Sequence, residues 1–434
     1  MGIKTGFAKL TAKVIQFLLK NLKKSRGETA PGLIALKIDP DFVKNTHQNI
    51  KNRILITGTN GKTTTTEILR KIFEDNQINF ISNPSGSNLL RGIASSGLDL
   101  KKETSTVLYE TDEAAFIQIA EQLEPNFIII TNLFRDQLDR YGEIDTILKK
   151  WFQVLQKIPT STIFLNADDP SLAFLGENLK KHQLIYFGLD FKTDKKLENF
   201  ADSIFCPECQ KQLAYQNIIY SHLGQYNCSC GFKKPILKYK IISNKNNIIK
   251  IEYKNISSEI ETKLLGNYNL YNILAAFSLG IELKLKVKNA IQNFVPAFGR
   301  QEIFEVKNKK IQIFLVKNPT GFNQTLDTLV DLNKQITLCL AINDKIADGK
   351  DISWLWDIYF NKLNKIAKKI IITGDRCLDM VLRLKYADID QNKYELVNNK
   401  FEALKKIIKQ EDKYLYLLPT YTAMWEMREM LKKI

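Results

Sequence analysis

Residues 54–69 read ILITGTNGKTTTTEIL: an apolar run enters a glycine-lysine-threonine turn, and a helix-forming stretch follows. In this strand-loop-helix setting the turn reads as a phosphate-binding loop. Gly58 and Gly61 let backbone N–H groups approach an anion, with Thr59 and Asn60 between them. Lys62 neutralises phosphate charge, and a threonine hydroxyl, Thr63 or Thr64, can reach Mg²⁺. The spacing departs from G-x-x-x-x-G-K-[ST], because Ile56 stands at the first glycine position and the match is to a shorter variant with Gly58.

Working outward, the 434 residues are enough for about two or three domains with ordinary cores. An apolar fraction of 44% and a charged fraction of 25% are those of a soluble globular chain. No apolar run approaches the ~20 residues that span a bilayer, and the start lacks the uninterrupted apolar stretch and small-residue cleavage site of a secretory signal. A cytosolic protein is expected. In residues 1–47, Phe7, Leu10, Val14, Ile15, Phe17, Leu18 and Leu22 recur at helical spacing, with Lys9, Lys13, Lys20, Lys23 and Lys24 among them. This pattern predicts an N-terminal helix that packs on the core or lies on a membrane surface or a partner. The net charge is +16, from 63 Lys+Arg against 47 Asp+Glu. The lysines are spread along the whole chain, and no arginine block interleaved with aromatics appears, so no nucleic-acid partner is expected.

Four of the six cysteines are clustered as CPEC and CSCG: Cys206, Cys209, Cys228 and Cys230. Nucleotide chemistry places the chain in a reducing compartment, where four thiolates around one tetrahedral Zn²⁺ are favoured over disulfides. Pro207 and Gly231 suit the tight turns that aim each pair at one ion. Such a four-sulfur site is coordinatively closed and therefore a scaffold. Cys339, in the run ITLCLAI, reads as a small core residue, and Cys377 follows a strand.

After the loop, TSTVLYETDE (104–113) and PNFIIITNLF (125–134) read as buried strands, each followed by polar residues and a helical period. Strands alternating with helices imply a parallel, doubly wound sheet, with ligands at the carboxyl ends of its strands. Glu110 and Asp112 stand there after one strand, Asp136 and Asp139 after the next. The cysteine module, roughly residues 200–235, interrupts this alternation, and residues 238–264 read as antiparallel strands. A second α/β domain, Rossmann-like, is expected over residues 302–434, with strands IQIFLVKN, QITLCLAI, KKIIITGD and KYLYLLPT and a closing amphipathic helix. The predicted domains are thus a helical segment 1–47, a nucleotide-binding domain 48–301 carrying the inserted zinc ribbon, and the C-terminal domain 302–434.

Several separated motifs resemble those of the Mur ligase family, which couples ATP to bond formation at a carboxylate through an acyl phosphate. GTNGKT with its following threonines resembles the family's ATP loop, and TNLFRDQLDRYGE (131–143) the segment after its third strand. LNADDP (165–170) resembles its N-x-D-D-P turn, GNYNLYNILAA (266–276) its adenine-contacting helix start, and FGRQE (298–302) its G-R-x-E domain boundary. The resemblance implies a Mur ligase-like central ATPase domain over most of residues 50–302, with ATP and Mg²⁺. By it, Gly61 and Lys62 hold the β- and γ-phosphates, and Thr63 or Thr64 meets Mg²⁺ with Glu110 as a second metal-side carboxylate. Asn269 and Asn272 lie beside adenine, and Arg300 meets phosphate or ribose.

The departures from the family pattern are equally telling. Gln137 replaces the histidine of D-H-L-D, Trp151 and Phe152 stand where a carbamylated lysine is expected, with Lys149 and Lys150 nearby, and only about fifty residues precede the ATP loop. With the zinc ribbon, LVKNPTGFNQTL (315–326) and INDKIADGKDISWLWD (342–357), the chain resembles one subgroup, the MurT-type synthetase subunits of lipid II isoglutaminyl synthase. That resemblance implies ATP-dependent phosphorylation of the D-glutamate α-carboxylate in the lipid II stem peptide, then amidation by ammonia. It also implies a heterodimer with a GatD-like glutaminase and action at the inner face of the cell membrane. An aspartate of the IADGKDISWLW loop then completes a Cys-His-Asp triad across the interface. Asp351 is favoured over Asp348 and Asp357, with a helix cap as the alternative role. Two other readings are an amino-acid ligase of Mur or folylpolyglutamate type and a zinc-ribbon nucleic-acid-binding protein.

Overall fold

The apolar run before the loop is a strand, β1 (Asn52–Thr57), in the computed structural model of the chain, which describes residues 2–21, 29–84, 86–135, 144–195, 197, 202–296 and 298–434. Ile54, Leu55 and Ile56 are all fully buried, without alternation. That is the signature of a parallel strand covered on both faces. The chain divides into two units, one of Met1–Phe134, Tyr141–Thr262 and Leu270–Phe294, the other containing Lys263–Asn269 and Val295–Ile434.

In the first unit β1 is joined by β2 (Phe80–Ser82), β3 (Thr106–Glu110), β4 (Phe127–Ile130), β5 (Thr162–Asn166) and β6 (Gln183–Leu189). A separate ribbon follows, β7 (Ala214–Tyr220) paired antiparallel with β8 (Leu223–Asn227). The chain then re-enters the large sheet as β9 (Tyr239–Lys245), β10 (Ile248–Tyr253) and β11 (Ile256–Glu261). The order is β11-β10-β9-β6-β5-β4-β1-β3-β2. β9 pairs parallel with β6, and β10 and β11 continue antiparallel, so the antiparallel strands expected after the cysteines extend the same sheet. The cysteine module is therefore an insertion between two neighbouring strands of one sheet. Strand order reverses at β1, which lies between β3 and β4, so the loop after it occupies the position where open α/β sheets bind ligands.

Three helices precede β1: α1 (Ile3–Asn21), α2 (Ala30–Ile38) and α3 (Phe42–His47). Ala8, Ala12, Ala35, Phe42 and Val43 belong to the core that underlies the sheet. His47 ends α3 fully buried, its Nδ1 2.8 Å from the Val43 carbonyl and its Nε2 2.8 Å from the Tyr109 hydroxyl. Of the two placements expected for the apolar stripe of α1, packing on the core is not the one observed. Thr5, Ala8 and Ala12 are buried, whereas Phe7, Leu10, Val14, Phe17 and Leu18 are exposed and Ile15 is half-buried. Leu22, Lys23 and Lys24 lie outside the described residues. Among the described residues no helix is long and apolar enough to cross a membrane.

The second unit holds a six-stranded sheet built from β12 (Arg300–Val306), β13 (Lys309–Phe314), β14 (Ile336–Ala341), β15 (Ala367–Thr373), β16 (Tyr394–Leu396) and β17 (Tyr414–Pro419). Its order is β12-β13-β17-β14-β15-β16, parallel except for the β12-β13 hairpin. Cys339 is fully buried in β14, as its apolar neighbours predict. The short edge strand β16 has no counterpart in the expected set, because a three-residue strand carries too little periodicity to stand out.

Candidate active site

The loop after β1 is shaped by two glycines with positive φ, Gly58 at 127° and Gly61 at 88°. A Cβ on Gly58 would stand 2.3 Å from the Thr131 hydroxyl, and one on Gly61 would stand 2.0 Å from Asn272 Oδ1. Both positions therefore exclude side chains on two counts, backbone strain and collision. Residues just past β4 brace the loop. Asn132 accepts from the Asn60 N–H at 2.8 Å and donates to the Asn60 carbonyl at 3.0 Å, while the Thr59 hydroxyl and the Phe134 backbone bond each other in both directions. Thr131, Asn132 and Phe134 are loop-positioning residues absent from the sequence-derived set. Their signal was the polar TN immediately after a buried strand.

Gly61 begins helix α4 (Lys62–Asp75), so the loop amides open onto a helix N-terminus, which favours anions. Thr63 and Glu110 are brought together: the threonine hydroxyl donates to Glu110 Oε1 at 2.8 Å, and both residues are buried. Two hard oxygen donors so placed fit a Mg²⁺ that keeps its remaining ligands as waters and phosphate oxygens. Thr64 is also buried in the first turn of α4. Lys62 is buried and its ammonium donates to the carbonyls of Gly58 and Thr59 and, at 3.0 Å, to Glu113 Oε2. Glu113 was not in the sequence-derived set, although it follows Glu110 by three residues past the end of β3. Asp112, which was, turns the chain by accepting from the Ala114 N–H at 3.1 Å.

Trp151 stands where a carbamylated lysine was expected and is fully buried, its indole N–H donating to the Glu113 carbonyl at 2.9 Å. Lys149 and Lys150, on the same helix Ile144–Lys157, are exposed. Asn272 is buried on helix Asn267–Glu282 with its carboxamide against Gly61 and its Oδ1 3.5 Å from the Thr65 hydroxyl. Asn269 and Arg300 belong to the second unit, where Asn269 donates to the Leu265 carbonyl and Arg300 to that of Phe298. Asp136, Gln137 and Asp139 lie outside the described residues.

The four cysteines converge. Their sulfurs all lie within 4.8 Å of one another, with Cys206 and Cys230 at 3.6 Å and Cys209 and Cys228 at 3.4 Å. A tetrahedron with Zn–S bonds of about 2.3 Å has edges of about 3.8 Å, so the set fits zinc. Each pair sits in a tight turn closed by a residue of positive φ, Gln210 at 61° and Gly231 at 105°. The Cys230 N–H directed at Cys228 draws that thiol down to about 6, while burial pushes Cys206 up. The ribbon is tied to the sheet through the LNADDP turn. Asp168 receives Lys234 at 2.7 Å and the Tyr271 hydroxyl at 2.6 Å, and Tyr226 donates to the Ala167 carbonyl. Asp169 caps helix Pro170–Asn178 and accepts from the Leu133 N–H at 2.8 Å. His222, in the ribbon turn, is fully buried, 3.7 Å from Asp169 and with its ring 4.7 Å from that of Phe134.

In the second unit the three candidate aspartates differ. Asp348 is buried, accepting from the Thr422 N–H at 2.7 Å and from the Lys345 N–H at 3.1 Å. Asp357 is half-buried. Asp351 is exposed, and its carboxylate receives the N–H and hydroxyl of Ser353 at 2.8 and 2.9 Å, an Asx turn that presents it at the surface.

Comparisons with known proteins agree with this architecture. Residues 56–280 match the family model of the Mur ligase middle domain, and residues 315–424 that of the MurT ligase C-terminal domain. The chain is 34% identical to the lipid II isoglutaminyl synthase (glutamine-hydrolyzing) subunit MurT of Streptococcus pneumoniae, over 99% of this chain and 98% of that one. It is 32% identical to the same subunit of Staphylococcus aureus strain COL, over 94% and 93%. Among solved structures, a pseudomurein peptide ligase type C from Methanothermus fervidus shares the fold at a TM-score of 0.67 and 24% identity, covering 88% of this chain and 79% of that one. MurF from Acinetobacter baumannii does so at 0.68 and 17%, covering 93% and 81%. A glycine-lysine-threonine loop at the switch point of a Mur-type sheet, a four-cysteine ribbon inserted in that sheet and a matching C-terminal domain, carried at this identity over nearly the full length, leave one assignment: the chain belongs to the MurT group of the Mur ligase family.

Proposed function

We propose that this chain is the ATP-dependent synthetase subunit of a glutamine-hydrolysing lipid II isoglutaminyl synthase. The observation that carries the reading is Lys62 and Thr63 at the start of α4, with Glu110 from the end of β3 beside Thr63, in a chain whose MurT relatives match it nearly end to end. In the reaction, a carboxylate oxygen of the stem-peptide D-glutamate attacks the γ-phosphorus of ATP and ADP leaves. Ammonia then attacks the carbonyl carbon of the acyl phosphate, phosphate leaves with its bonding electrons, and loss of a proton gives the amide.

The residues supply what these steps need. The loop amides and Lys62 hold phosphate oxygens where charge shifts toward ADP. Thr63 and Glu110 would hold Mg²⁺, which supplies neutralisation of the phosphates. The Asn272 carboxamide keeps Gly61 in the conformation that aims the loop. Zinc on Cys206, Cys209, Cys228 and Cys230 would have a structural role, fixing the ribbon that leans on Phe134 through His222. Glutamine hydrolysis belongs to a GatD-like partner in a heterodimer, and Asp351, the exposed aspartate of its loop, orients the partner's histidine. The substrate places this chemistry at the inner face of the cell membrane.

The burial of Trp151 on the backbone of Glu113, with Lys149 and Lys150 in solvent, supports ammonia over an amino acid as nucleophile, since it leaves no lysine at the carbamylation position. Purified chain and a GatD-type glutaminase, given ATP, Mg²⁺, glutamine and lipid II, should lower the mass of lipid II by about one unit, the change from hydroxyl to amide. An unchanged mass in the full mixture would remove the reading.

A further inference from the structure

Helix α1 is built in reverse for a packed helix. Its small residues, Thr5, Ala8 and Ala12, face inward, and the Thr5 hydroxyl is anchored on Asp39 at 2.7 Å. Its bulky ones face out: Ile3 is 96% exposed, Phe7 61%, Leu10 65% and Phe17 65%, and Val14 and Leu18 extend the stripe. Positions 3, 7, 10, 14, 17 and 18 share one side of a helix by their three-and-four spacing. Lys4 and Lys13 are exposed and flank that stripe on opposite sides, and no acidic residue occurs between Ile3 and Asn21.

A contiguous apolar face of this size on a helix already docked through its other side is a binding surface. Its chemistry selects the occupant. Two phenylalanines and aliphatic residues bordered by lysines, in a chain of net charge +16, match the acyl boundary and phosphate layer of an anionic bilayer. We infer that α1 lies in the surface of an anionic membrane, its stripe from Ile3 to Leu18 in the acyl boundary and Lys4 and Lys13 at the lipid phosphates. The inference rests on the proposed function for its purpose: a substrate held in the bilayer by its lipid tail is met by an enzyme that partitions to the same surface.

The full chain, sedimented with vesicles of phosphatidylcholine containing phosphatidylglycerol and no lipid II, should bind, and should bind phosphatidylcholine alone at least tenfold more weakly. The double substitution Phe7→Asp with Phe17→Asp should lower partitioning at least tenfold, and Lys4→Glu with Lys13→Glu should remove the preference for phosphatidylglycerol. Both sites are at the surface, and an unaltered thermal midpoint establishes that the variants fold. With the glutaminase partner present, the phenylalanine variant should amidate a short-chain, water-soluble lipid II analogue at the normal rate but lose activity on lipid II embedded in vesicles. Absence of vesicle binding by the unaltered chain, or binding indifferent to both variants, would overturn the inference. A concentration-dependent dimer abolished by the phenylalanine substitutions would overturn it as well, with a second copy as the occupant. Failure of the unaltered complex on the soluble analogue would instead count against the proposed function, leaving the vesicle result to decide this one.

Discussion

The ammonium of Lys62 sits 3.0 Å from the Glu113 carboxylate, and both side chains are buried. The lysine proposed to bind phosphate is thus held by an acid just past the neighbouring strand end. A γ-phosphate would compete with Glu113 for the same ammonium. Lys62→Met should therefore abolish nucleotide binding by calorimetry, whereas Glu113→Gln, which keeps a hydrogen-bond acceptor but drops the competing charge, should bind ATP at least as tightly as the unaltered chain. Weaker binding by Glu113→Gln would show that the acid aims the lysine instead of restraining it.

The Thr63 hydroxyl and Glu110 carboxylate form one oxygen pair. Thr63→Val keeps the shape and removes the oxygen. The Mg²⁺ concentration for half-maximal ATP turnover should rise about tenfold, equivalent to about 1.4 kcal/mol, with the thermal midpoint little changed. A Mg²⁺ titration of ATP turnover in the complete mixture reads this directly.

Substitutions at the exposed Asp351 and the buried Asp348 should separate the proposed partner-facing role from a structural one. Asp351→Asn should abolish glutamine-dependent amidation while amidation from added ammonia persists. Asp348→Asn, which weakens the bonds to Thr422 and Lys345, should instead lower the thermal midpoint and depress both activities together. Equal loss of both activities in Asp351→Asn would place that residue elsewhere.

Metal content should be one Zn²⁺ per chain by mass spectrometry under native conditions. Chelation should release the ribbon, and with it His222 from Phe134, whose backbone bonds Thr59 of the phosphate loop. Loss of ATP binding should therefore accompany zinc loss, and restored zinc should restore both.

Burial lowers the His47 imidazole from its ordinary 6.5 to about 4. Between those values the unfolded chain takes up a proton that the folded chain refuses. The contribution of His47 to stability is present in full above about pH 6.5, falls as pH drops through that window and is gone below about 4; it amounts to roughly 3 kcal/mol. Urea midpoints at pH 7 and pH 5 should differ less for His47→Gln than for the unaltered chain.

Much of the fold was legible because its signals are local. The apolar runs of β1, β3 and β4 and the turn residues after them announce a parallel sheet with its ligand edge, since each strand's burial on both faces writes itself as an unbroken hydrophobic segment. Gly58, Gly61, Lys62 and Thr63 were readable for the same reason: they fall within one short turn, GTNGKT, whose glycine-lysine-threonine succession is the pattern of a phosphate loop. The CPEC and CSCG pairs likewise carry in their spacing the convergence of their four sulfurs.

What the sequence by itself determined was thus the loop, the cysteine set, the class of fold and the family. Tertiary structure alone decided which residue stands against which. Glu113 meets Lys62, Asn272 rests on Gly61, and the Trp151 indole bonds the Glu113 backbone, pairings across 38 to 211 positions of chain that only the winding of the sheet creates. It also decided the sense of α1. Helical periodicity locates an apolar stripe but not which way it faces, and here the inward position went to alanines because they allow close approach to α2, leaving the phenylalanines in solvent.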